Sequence, residues 1–179
     1  MAGLVAFAVL LTLLNLLLIF AVIRRLREHT EQLASLAAGH GSDQNAGLPV
    51  GRRVADFSGT TVDGEAISRD LLTGETLVAF LMPGCTPCRK SLPELAETVA
   101  NWPGGRASTL VVISGDEEKA AEYVATLAPV ARVLVEGPDG QVGTAFEAAA
   151  YPLFGTVDSH GRVLRSERDP GVLSVVTPV

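Results

Sequence analysis

Two stretches, TLVAFLM at residues 76–82 and STLVVIS at 108–114, carry no charged side chain and are dense in Val, Leu and Ile. A strand that buries one face alternates apolar with polar residues, whereas a run that is apolar at successive positions must be covered on both faces. Both stretches therefore predict central strands with other elements packed on each side. Between them, PCRKSLPELAETVANW places Leu92, Leu95, Ala96, Val99 and Trp102 at helical spacing, and Pro103-Gly104-Gly105 ends the pattern.

The remaining segments continue the alternation. GDEEKAAEYVATLAP predicts a second helix, with Asp116, Glu117 and Glu118 in its first turn, where they complement the helix dipole. ARVLVEG predicts a strand and GQVGTAFEA a short helix, while TVDG (61–64) and DSHG (158–161) each set a turn between apolar segments and predict hairpins. Strands alternating with helices, then a terminal hairpin, give an α/β or α+β sandwich with helices on both faces of the sheet.

The N-terminus is of another kind. Hydrophobic residues make up 47% of the chain, and GLVAFAVLLTLLNLLLIFAVI, from Gly3 to Ile23, contains no charge. At the helical rise this run is about 31 Å long, the hydrocarbon thickness of a bilayer. A cleavable leader would need a basic start and a small-residue cleavage site; here no Lys or Arg precedes the run, and Arg24, Arg25 and Arg27 follow it. The expectation is a membrane anchor over 1–23, in contact with lipid, then a stalk helix over 24–37. AGHGSDQNAGLP breaks all periodicity and predicts a flexible linker over 38–50, with one globular domain over 51–179. The three acids and three bases before residue 51 cancel, so the net charge of -6 belongs to that domain. An acidic domain has no electrostatic grip on phosphate backbones, which excludes nucleic acid as a partner.

Both cysteines of the chain fall within PGCTPCRK, residues 83–90. Cys85 lies just past a buried strand and Cys88 in the first turn of the helix that follows. Free backbone N–H groups and the positive end of the helix dipole favour a thiolate on Cys85, and Arg89 and Lys90 add nearby positive charge. Such a thiolate attacks disulfides, and Cys88, one turn on, can resolve the mixed disulfide. Pro87 is pre-set for a helix start, and with Thr86 it is expected to tune the reduction potential. Two other uses of C-x-x-C stay open. One is half of a zinc site, although His29, His40 and His160 lie in the stalk, the linker and a distant turn; the other is a permanent disulfide.

The strand, the C-T-P-C dithiol, the helix and Pro93 five residues beyond together resemble the thioredoxin-like superfamily, and more narrowly its membrane-anchored TlpA-like and MauD-like thiol-disulfide oxidoreductases. VADFSGTTVDGEAIS is similar to that group's opening hairpin, LVAFLMPGCTPCRKSLP to its active-site strand and helix, and YPLFGTVDSHGRVL to the strand and hairpin after its cis-proline. The resemblance implies a central mixed sheet flanked by helices, an N-terminal hairpin, and a cis Pro152 facing the cysteines. It further implies that Tyr151 and Pro152 bind an extended substrate strand, that no cofactor or metal is used, and that clients are proteins bearing a dithiol or disulfide. A membrane electron-transfer partner is implied as well.

The sequence departs from that pattern. Ala79 and Ser91 stand where relatives carry a proton-transferring acid, leaving Glu94 as a conjectural substitute; Gly84 replaces an aromatic residue, and the closing helix in RDPGVLSVVTPV is truncated or absent. PGCT also occurs in some peroxiredoxins, whose preceding Thr is Met82 here, so a thiol peroxidase is one rival reading and a non-catalytic binding module another. The resemblance implies an extracytoplasmic redox domain, whereas the arginines after the apolar run argue for the cytoplasm. The expectation taken is extracytoplasmic.

Overall fold

The computed structural model describes residues 48–174 and, before them, Gly3, Phe7 and Asn15. The chain divides into two compact units, residues 1–43 and 44–179. The anchor and stalk fall outside the described residues apart from those three positions, as does the linker up to residue 47. Among the described residues no helix is long and apolar enough to cross a membrane.

The second unit is an α/β thioredoxin-like fold. A hairpin, β1 (Ser58–Thr60) with β2 (Ala66–Ser68), precedes a five-stranded mixed sheet. The sheet comprises β3 (Thr76–Leu81), β4 (Thr109–Ser114), β5 (Arg132–Glu136), β6 (Leu153–Val157) and β7 (Val163–Glu167), in the order β5-β4-β3-β6-β7. β3 pairs parallel with β4 and antiparallel with β6. The helices are α1 (Thr86–Ala100), α2 (Glu117–Leu127), α3 (Gln141–Ala145) and a single terminal turn, α4 (Gly171–Ser174). Both hairpins and every strand anticipated from the apolar patterning are present, and the helix over 86–100 stops two residues before Trp102.

Alternate residues of the sheet feed two cores. Leu77, Ala79 and Leu81 join Val111, Ile113 and Phe154 beneath Leu92, Leu95 and Val99 of α1 and Ala120, Tyr123 and Leu127 of α2. Val78 and Phe80 join Leu110, Val112 and Leu153 on the other face, under Phe57, Ile67 and Phe146. The Glu136 carboxylate fixes α3 by accepting from the N–H groups of Val142 (3.1 Å) and Gly143 (2.7 Å). The described part of the closing segment is α4, whose Leu173 joins the core cluster beside α1; the rest of that expectation lies outside the described residues.

Composition alone put residues 48–50 in a linker, yet Leu48 is 2% exposed. The segment from Leu48 to Val54 runs along β7, with Gly51 N–H donating to the Val163 carbonyl (2.8 Å) and Leu48 N–H to Ser166 Oγ (2.8 Å). Leu48 fits a notch that only glycine leaves open, since a Cβ on Gly155 would stand 2.7 Å from Leu48 Cδ1 and 2.5 Å from the Arg165 carbonyl oxygen. Leu48→Ala should therefore cost about 2–5 kcal/mol of stability, the usual range for a buried leucine. Urea unfolding will measure it, and an unchanged midpoint would show that the segment is not part of the core.

Candidate functional site

The chain leaves β3 through Met82, Pro83 and Gly84. Gly84 has φ +83°, a conformation that strains any side chain, so the aromatic residue of the resembled pattern has no comfortable place here. Cys85 then caps α1: its backbone is extended, its N–H donates to the Met82 carbonyl (3.2 Å), and its Sγ accepts from the Cys88 N–H at 3.4 Å. A sulfur in that position meets the unpaired N–H groups of a helix start. Pro87 occupies the first turn, where its missing N–H costs nothing.

The two sulfurs are chemically unequal. Both are free thiols; Cys85 is half-buried and Cys88 fully buried. Burial, then the hydrogen bond and charge of Cys85, pushes the Cys88 thiol from 9.0 up to about 12, against backbone N–H groups that pull it down. At neutral pH Cys88 is protonated and shielded, while Cys85 is the sulfur that solvent and partners meet.

Across from them, the Tyr151–Pro152 peptide bond is cis, as anticipated. It stands at the head of β6, whose Leu153 is in register with Phe80 of β3, so the neighbouring strand delivers it to the end of β3 where the cysteines lie. The Cys85 S–H points at the Tyr151 carbonyl, 3.7 Å away. Tyr151 is half-buried and packs against both cores. Thr86, Pro87, Arg89 and Lys90 are exposed around the first turn of α1.

Two positions weighed for moving the Cys88 proton are engaged elsewhere. Ser91 Oγ donates to the Pro87 carbonyl (3.1 Å), and the Glu94 carboxylate lies against Gly171 at the start of α4. Six residues beyond Cys88 along a helix puts Glu94 on another face, where its carboxylate meets α4. Sequence reading passed over Tyr123, whose phenol is pushed up by burial and then by Cys88 and Cys85. Its only signal in the sequence was a place on the apolar stripe of the second helix. His160 lies in the β6–β7 turn, at the opposite end of β6 from the cysteines. Among the described residues no group of three or more His, Cys, Asp or Glu could hold a metal ion.

The sequence pattern of the AhpC/TSA family matches residues 50–166. No curated protein matches the chain. Solved structures do. A thiol:disulfide interchange protein from Bacteroides sp. is 21% identical over 72% of this chain and 88% of that one, with a TM-score of 0.56. StoA from Bacillus subtilis is 16% identical over 67% and 94%, at 0.54. A secreted Mycobacterium tuberculosis disulfide oxidoreductase homologous to E. coli DsbE is 17% identical over 66% and 91%, at 0.53. At these identities the likeness is one of fold.

The raised Cys88 value has a stability consequence. A thiol whose native value lies above its unfolded one binds more protons when folded, so its contribution is complete below about 9 and is lost as pH rises toward about 12. The urea midpoint of the reduced protein should fall across that window, and Cys88→Ala should flatten the fall. A variant and parent with parallel curves would contradict it.

Proposed function

The chain belongs to the AhpC/TSA family, and within it we propose that it is a thiol-disulfide oxidoreductase exchanging disulfides with client proteins through Cys85 and Cys88. The observation that carries the reading is the inequality of the two sulfurs: one half-exposed at a helix N-cap, the other buried and protonated three residues on. The fold it shares with proteins named as a thiol:disulfide interchange protein and a disulfide oxidoreductase supports the same reading.

In the reductive direction, Cys85 loses its proton to solvent and its sulfur attacks a client disulfide. A mixed disulfide forms, and the displaced client sulfur leaves as a thiolate that takes up a proton. Cys88 then loses its proton and attacks Cys85 Sγ, the mixed disulfide breaks, and the second client sulfur leaves and is protonated. The client is reduced by two electrons and the chain is left with a Cys85–Cys88 disulfide, which a dithiol partner must reduce for another cycle. Run backwards, the steps oxidise a client. In this proposal the carbonyl of Tyr151, beside cis Pro152, accepts from the backbone of an extended client segment in place of the Cys85 S–H that it meets now. Thr86 and Pro87 tune the potential, and Arg89 and Lys90 bias the rim toward anions. A peroxidase reading finds no hydroxyl at position 82, since Met82 offers only a thioether.

Residues 1–23 supply a single-pass anchor in this proposal, with the redox domain extracytoplasmic and its electrons exchanged with a membrane partner. A membrane-impermeant thiol reagent applied to intact cells, with and without prior reduction, should label Cys85; labelling only after lysis puts the domain in the cytoplasm.

Insulin reduction tests the chemistry. Cys85→Ser should lower turnover at least a hundredfold, and Cys88→Ser should accumulate a mixed disulfide through Cys85, visible on non-reducing gels. Insulin turnover that survives Cys85→Ser, or brisk consumption of hydrogen peroxide in its place, would defeat the assignment.

A further inference from the structure

Cys88 must lose its proton in a place built from apolar side chains. Ala79, Leu92 and Leu95 share its core cluster, Ala79 bears only a methyl group, and Ser91 is committed to its own helix. From the neighbouring helix, Tyr123 enters the same cluster, 3% exposed as a residue.

The two helices pack against each other, with Cys88 and Tyr123 in one buried cluster. α1 and α2 each follow a strand of the parallel pair β3–β4, so both begin at the same end of the sheet. Cys88 lies about 3 Å below the start of α1 and Tyr123 about 9 Å below the start of α2. Helical side chains lean toward the N-terminus of their helix, and a tyrosine is long enough to climb back toward the level of Cys88. The electrostatic neighbours of the phenol agree with that placement: Cys88 and Cys85 first, then Glu122 on its own helix and Arg89 on α1.

We propose that Tyr123 is a positioning residue for the second half of disulfide exchange, its hydroxyl donating a hydrogen bond, directly or through one water, to the Cys88 thiolate as that thiolate forms. This rests on the disulfide-exchange reading above. The reduced thiol needs no such donor; the demand arises when the proton departs to solvent and a negative sulfur is left in an apolar pocket. Burial and the two sulfurs hold the phenol above its ordinary value, so it stays protonated and remains a donor at neutral pH. Cys88 then attacks Cys85 Sγ, the leaving sulfur departs with the electron pair of the broken bond, and Tyr123 keeps its own proton throughout.

Ellman's reagent separates the two steps in the intact protein. The first thionitrobenzoate released reports attack by Cys85, and the second reports attack by Cys88 on the mixed disulfide. Tyr123→Phe keeps the ring and its packing. It should slow the second release about tenfold between pH 6 and 9, the scale of one hydrogen bond to a charged group, and leave the first unchanged. Leu127→Ala, a core change on the same helix, should lower the urea midpoint without altering the ratio of the two rates. Equal second-step rates in Tyr123→Phe and the parent, or equal slowing of both steps, overturns the role of Tyr123. A parent protein that releases a single equivalent removes the disulfide-exchange reading itself, and Tyr123 with it.

Discussion

Every residue of β3 is shielded from solvent, from Thr76 through Leu81. A strand covered that completely has no freedom to shift, because sliding it by one position would exchange its two faces and send Leu77, Ala79 and Leu81 into the core built for Val78 and Phe80. Its end is therefore firmly placed. The cysteines are hung from that point, four and seven residues beyond Leu81.

From this anchor the inequality of the two sulfurs follows. The turn through Gly84 starts α1 over the sheet face, so the third residue of the helix, Cys88, is driven into the core while the cap residue, Cys85, stays at the edge. One helical turn separates a sulfur in a dry environment from one in a wet one. The same sheet brings in the second component without any sequence neighbour: β6 pairs with β3, so Tyr151 and Pro152 arrive beside Cys85 from 66 residues away. The site is thus a property of strand pairing as much as of the C-T-P-C segment.

The secondary structure was largely legible because its signals are local. Continuous apolar runs marked β3 and β4, helical spacing marked α1 and α2, and turn residues marked both hairpins. Boundaries moved by one or two residues, as at α1, whose last predicted turn unwinds before Trp102. Leu48 is a failure with a physical cause. A leucine among Gly, Asn and Pro has no periodicity to announce it, and its burial depends on a notch at Gly155, more than a hundred residues on. The fate of Glu94 was equally invisible, since only the packing of α4 against α1 reveals where its carboxylate goes.

The sequence by itself determined that a dithiol would sit at the join of a buried strand and a helix, because both the pattern and the spacing are local. It also determined the proline in the first turn. Only the tertiary structure decided how completely Cys88 is buried, that the Tyr151 carbonyl faces Cys85, and that Tyr123 shares the buried cluster of Cys88. Those outcomes depend on which faces meet when helices cross a sheet, and contacts between residues far apart in the chain leave no mark on either residue's immediate neighbours.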